Sequence, residues 1–331
     1  MRLSPRGSEV GVTDRDPTLV GMVGSIPQQE TPVELLRALA VFAEPPGDGH
    51  GRIAETLGFG TAPGASDFSD VFLFQLYPYA SIHLGEEGML GGEARERVAG
   101  FWSALGRTPP AEPDHLSALL GLYAALSGEV AAATDAPGDA AAPSEVALLA
   151  ESRDALLHEH LAPWVPAYLD RVVEISPRTY GPWAAMLQDV LSAELRRAGR
   201  AQRLPLHLRE AAALPDPREE GADAFLKGLL APVRSGVILI RADLASLSGG
   251  LGLALRAGER RFALDSLLGQ DAASVLAALA GVAGRQADAH EERIELLGVT
   301  ASFFASRARA SAALLSELAT EDTVSAVGVG S

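Results

Sequence analysis

From Thr31 to Phe42 the apolar residues Leu35, Leu36, Leu39 and Phe42 fall at short steps along one helix face. Thr31 is placed as its N-cap, Pro32 as its first residue and Glu34 at capping-box distance. "EPPGDGHG" ends this helix, "RIAETLGF" predicts a short second one, and "GTAPGAS" breaks it. "DFSDVFLFQLYPYASIHL" carries the richest aromatic cluster, Phe68, Phe72, Phe74, Tyr77 and Tyr79. "GGEARERVAGFWSALG" predicts a further helix. In the stretch after it, Leu116, Leu119, Leu120, Tyr123 and Leu126 repeat at three- and four-residue steps and form a core stripe. Glu112, Pro113, Asp114 and His115 stand at the start of that stripe, where Pro suits the first turn and acids complement the helix dipole.

The polar breaks divide the chain. Residues 1–30 are polar and aperiodic and predict a disordered tail. Residues 31–204 form a helical core. It is interrupted by the loop-like insert "AAATDAPGDAAAPSE" and continues in "EVALLAESRDALLHEHLAPWVPAYLDRVVEIS" and "YGPWAAMLQDVLSAELRRAGR". Residues 205–221 are a linker or boundary, 222–320 a helical extension and 321–331 a flexible tail. Val237–Ile240 is β-prone, but one strand without a partner is unstable, so the segment is predicted helical. The expected fold class is all-α. No period of about 20–50 residues repeats, and no Gly-rich phosphate loop is present.

Composition changes this picture in three ways. The 331 residues, 47% hydrophobic, can bury a sizeable core, and no cysteine is present, which excludes disulfides, thiolate metal sites and cysteine nucleophiles. The net charge of −16, with Lys227 the only lysine, opposes general nucleic-acid binding and anionic membrane surfaces. It suits a basic peptide partner, although solubility alone also accounts for it. The N-terminus lacks a signal-peptide core, and apolar runs such as "SALLGLYAALSG" and "SGVILI" are too short to span a bilayer. A cytoplasmic protein is expected.

Candidate chemistry is sparse. His158 and His160, two apart on a helix, point about 200° apart and cannot share a metal. Neither HExxH nor GxSxG occurs, and no serine or carboxylate has a triad context. The reading is a non-enzyme with no catalytic residue, no metal site and no cofactor. Asp114 and His115 can cap a helix, or present an acceptor and a donor to a visiting chain.

Taken in order, "VFLFQLYPYASIHLGEEGMLGGEARERVAGFWSALG", "PPAEPDHLSALLGLYAAL" and "LLHEHLAPWVPAYLDRV" resemble the TorD/DmsD family of redox-enzyme maturation chaperones. The marks are the helix start Glu112, Pro113, Asp114, His115, Leu116 and the later His160, Leu161, Pro163, Trp164. The resemblance covers roughly residues 30–200. It implies an all-helical chaperone that binds the twin-arginine leader of a molybdenum-cofactor oxidoreductase precursor. It also implies a signal-peptide site of Asp114 and His115 with Glu112, Tyr77, Pro78, Trp102, His160, Pro163 and Trp164 around them. Monomer and dimer are both open. From Gly85 to His160 the charge is −9, with 13 Asp and Glu against 4 Arg, whereas Asp223–Asp265 carries +2. The acidity therefore lies with the motifs, as a basic leader requires. One alternative is a DNA-binding regulator, since residues 236–265 resemble a helix-turn-helix with Arg256, Arg260 and Arg261 as its basic cluster. Another is a helical interaction module without a redox client.

Overall fold

A computed structural model describes residues 32–135 and 143–328, with side chains through Glu321. Thr31 and the predicted tail 1–30 lie outside the described residues. The longer helices run in chain order as α1 (Val33–Val41), α2 (His50–Leu57), α3 (Ala80–Leu84), α4 (Gly92–Ala104), α5 (Leu116–Asp135), α6 (Pro143–Leu156), α7 (Val165–Ile175) and α8 (Gly181–Ala198). They continue as α9 (Ala222–Leu229), α10 (Arg241–Leu251), α11 (Arg260–Leu268), α12 (Ala272–Glu292) and α13 (Val299–Gly328). Short helical turns join them. Among the described residues there is no sheet, only a two-bond bridge between Tyr79 and His115. The all-α expectation holds.

Two apolar clusters form the interior. The first gathers Leu36 and Leu39 of α1, Phe72, Leu116, Leu119 and Tyr123 of α5, and Tyr168 and Trp183 of α7 and α8. Their polar atoms are spent locally: Trp183 Nε1 donates to the Leu39 carbonyl at 2.9 Å and the Tyr168 hydroxyl to that of Leu76 at 3.1 Å. Tyr123 donates to Glu194 at 2.7 Å, and Arg197 bonds both Glu194 and Asp154, so one buried network ties α5, α6 and α8. The second cluster joins Phe225 and Leu229 of α9, Leu264 and Leu267 of α11, Val275, Leu279 and Val282 of α12, and Leu315 of α13. The halves share residues: Leu208, Ile238, Ile240, Ala301 and Phe304 belong to the first cluster although they follow residue 204. Arg171 of α7 bonds Asp243 of α10 at 2.6 Å, with both side chains largely buried.

Four sequence expectations need correction. Val237–Ile240 is not helical but extended and buried. Its strand-like backbone is stable without a sheet because the Gln286 amide of α12 replaces a ladder partner, accepting from Ile238 N–H at 2.8 Å and donating to Ile238 O at 3.2 Å. The insert between α5 and α6 is shorter than expected: Ala131–Asp135 extends α5 and Pro143 opens α6, while 136–142 lie outside the described residues. Pro32 precedes α1 rather than opening it. Finally, α5 is 20 residues long with mean hydropathy 1.5 over its most apolar window, so by length and composition it could cross a membrane. The run read as too short belongs to a longer helix, which buries Leu116, Leu119, Leu120 and Tyr123 in the protein core.

Candidate functional site

The segment before α3 and the start of α5 are pinned to one another. Ala80 N–H donates to the Asp114 carbonyl at 2.9 Å, and Leu116 N–H donates to that of Pro78 at 2.8 Å. Asp114, only 2% exposed, turns its carboxylate inward, where Oδ2 accepts from Ser81 N–H at 3.0 Å. It thus satisfies the first turn of α3, a neighbouring helix, not the one it precedes. The predicted helix start at Glu112–His115 shifts accordingly: α5 begins at Leu116 and His115 caps it. Its Nδ1 accepts from Ser117 N–H at 3.2 Å and lies 2.7 Å from the Ser117 hydroxyl. An accepting Nδ1 leaves the proton of the neutral ring on Nε2. Burial lowers the His115 pKa, and Glu112, Glu44 and Asp114 pull against that shift without reversing it.

Between this corner and α4 lies a cleft of about 790 Å³. Its floor is one face of α5: Ser117, Ala118, Gly121, Leu122 and Ala125. One wall is the loop after α4, with Arg107, Pro110, Ala111 and Glu112, and the indole of Trp102. The opposite wall is Phe68, Phe72, Leu73, Pro78 and Tyr79, and Glu44 and Pro45 close the mouth. Leu73 reaches this wall from a wide π-type turn over Ser69–Leu73, which sets Leu73 and Phe74 outward, 47% and 56% exposed. The Tyr79 hydroxyl donates to Glu112 Oε2 at 2.9 Å, and its ring packs edge-on against His115 at 4.8 Å. Burial and that carboxylate raise the Tyr79 pKa, so the phenol remains a donor. Trp102 Nε1 is buried without a partner.

The cleft thus brings together Pro78, Trp102, Glu112 and His115 of the residues singled out from sequence. The other five lie elsewhere. Asp114 is a buried cap. Trp164 is 2% exposed, donates from Nε1 to the His160 carbonyl at 2.8 Å and stacks on His83 at 4.8 Å. His160 is buried against Phe101, and burial beside Arg97 lowers its pKa to about 4. Pro163 is buried in the same turn, and the Tyr77 carbonyl is bonded to His83 Nε2 at 3.2 Å. Sequence reasoning missed Glu44, Leu73, Tyr79, Arg107 and the floor of α5. The small residues Ser117, Gly121 and Ala125, four apart on the face opposite the leucine stripe, were the legible signal. Among the described residues no group of three or more His, Asp or Glu side chains could hold a metal.

Residues 61–170 match the nitrate reductase delta subunit family, and they supply every residue lining the cleft except Glu44 and Pro45. Over this third of the chain the protein is similar to that family. The family is one of non-catalytic chaperones for molybdoenzyme maturation, which bears out the resemblance to the TorD/DmsD proteins. No curated protein and no solved structure matches the chain. A chaperone of this family needs a surface for a polypeptide, and the cleft offers one: a floor of small and apolar residues on α5, with the carboxylates of Glu44 and Glu112 in its lining.

Proposed function

We propose that this chain is a cytoplasmic chaperone that receives the twin-arginine leader of a molybdenum-cofactor oxidoreductase precursor in this cleft before export. The observation that carries the reading is the cleft itself: an apolar trough with Glu44 and Glu112 at its mouth, built by the family-matched segment. A leader with a basic start and an apolar middle complements both parts. The extension after residue 221 is read as scaffold. Asp114 and His115 act here through position, since they hold the corner that shapes the mouth, and His115 also presents its ring edge to the ligand.

Two of the three arginines of the alternative DNA-binding reading are engaged within the protein. Arg260 is mostly buried and donates to the Leu239 carbonyl at 2.6 Å. Arg261 pairs with Asp223. Calorimetry with a leader peptide and a scrambled peptide of equal composition tests the proposal. The leader binds, and more weakly as salt rises, because the Debye length falls to about 8 Å near physiological ionic strength. Equal heats for the two peptides would refute specific recognition.

A further inference from the structure

The charges of the cleft are not evenly placed. Glu44 and Glu112 both lie at the His115 end, where each acts on the imidazole, and Tyr79 fixes Glu112 from beside it. Among the described residues neither carboxylate has an ion-pair partner. From this end the floor runs along α5 from Ser117 to Ala125, eight residues and so about 12 Å. At the far end the one cation of the lining, Arg107, is paired with Glu129 one turn beyond Ala125. The two ends therefore differ: one carries two unpaired carboxylates, the other a cancelled pair. The positive N-terminus of α5 lies at the acidic end, but it amounts to about half a charge, and His115 and Pro78 already occupy its first two N–H groups.

A ligand that is basic at one end and apolar at the other fits such a trough in one direction. We propose that Glu44 and Glu112 form the carboxylate pair that takes the leader's arginines. The leader then lies parallel to α5, with its apolar segment running from His115 toward Ala125. The inference rests on the leader-binding reading and adds its polarity, with Glu44 as a recognition residue from outside the family-matched segment. The reverse placement sets the arginines beside Arg107, whose counter-ion is already engaged, and lays the apolar segment on two carboxylates.

The test uses the full chain and two synthetic leaders of the Ser-Arg-Arg-x-Phe-Leu-Lys type. One carries a benzophenone just before the arginines, the other within the apolar segment. The first is expected to cross-link to residues 44–45 or 110–112, and the second to 118–125. In parallel, Glu44→Gln with Glu112→Gln weakens leader binding roughly three- to tenfold. The same double variant has no effect on a leader whose arginines are replaced by glutamine. Both sites are exposed, and an unchanged thermal melt verifies the fold of the variant. A reversed cross-link map, equal labelling of both ends, or full leader affinity in the double variant overturns the orientation while leaving the leader reading standing. Failure of calorimetry to detect either leader overturns both.

Discussion

Helix α5 and the pair α12–α13 are the longest apolar elements of the protein, and they are finished in opposite ways. Along α12, Val275, Leu279, Val282, Ala283 and Ala287 are buried, and α13 contributes Phe304, Ala305, Ala308 and Leu315 to the interior, so each helix has an apolar face covered. Gly236 fits this packing so closely that a Cβ there would meet Ala308 N at 2.4 Å and Phe304 O at 2.7 Å. Along α5 the leucine face is buried in the same manner, but the small-residue face lines an open cleft, and a Cβ on Gly121 would meet nothing within 4 Å. Small and apolar helix surface thus makes scaffold where another helix covers it and the floor of an open cleft where none does.

The largest expected effect is acid, and it reaches both regions. Burial lowers the pKa of His83 to about 3 and those of His160 and His290 to about 4. Each ring binds protons more readily unfolded, with pKa about 6.5, than folded. Stability is therefore full above about pH 6.5 and falls as pH drops toward 4, by up to ~1.4 kcal/mol per pH unit for each ring. Urea unfolding at pH 7 and pH 5 measures the slope, and a flat profile would contradict the buried neutral rings. The His290→Gln variant, which retains a donor toward the Gly236 carbonyl, should remove one ring's share.

Next in size is the close approach in the scaffold. Gly236 has φ +74°, and Gly236→Ala adds left-handed strain to a backbone clash with α13, about 2–4 kcal/mol together. The denaturation midpoint reports it, and an unchanged midpoint would show that α13 can move away. The counterpart on the open side is Gly121→Leu. It fills the cleft without touching the core, so the melting temperature holds or rises, glycine being the weaker helix former. Leader affinity falls at least tenfold, about 1.4 kcal/mol. Loss of stability with retained affinity would reverse the contrast between the two surfaces.

The smallest expected effect is at the corner. Asp114→Asn with His115→Gln retains acceptors for Ser81 and Ser117 N–H while removing the Asp114 charge and the imidazole. Loss of stability stays within about 0.5–2 kcal/mol, the scale of a cap. Any fall in affinity is expected to be smaller than that of Gly121→Leu, since Asp114 faces the interior and His115, 8% exposed, offers the cleft only a ring edge. An affinity loss exceeding that of Gly121→Leu, with the melt unchanged, would make the Asp114–His115 pair, and not the α5 floor, the main contact.

Much of this was legible along the chain. Leu116, Leu119, Leu120, Tyr123 and Leu126 were placed on a buried face by spacing alone, because a period of 3.6 residues sorts side chains before any partner is known. The family segment was legible too, in the order of its short motifs. Tertiary structure decided which face of α5 stays uncovered, since that depends on elements distant in sequence, such as the turn carrying Leu73 and the turn after α1 carrying Glu44. It also decided the placement of Asp114, His160 and Trp164, three motif residues whose side chains are buried. A motif records which residues stand near a corner; only the folded chain sets which of them turn inward to satisfy backbone N–H groups and which face the cleft. Val237–Ile240 makes the same point: its β-prone residues were plain, but Gln286, 48 positions beyond Ile238, supplies the hydrogen bonds that let it stay extended.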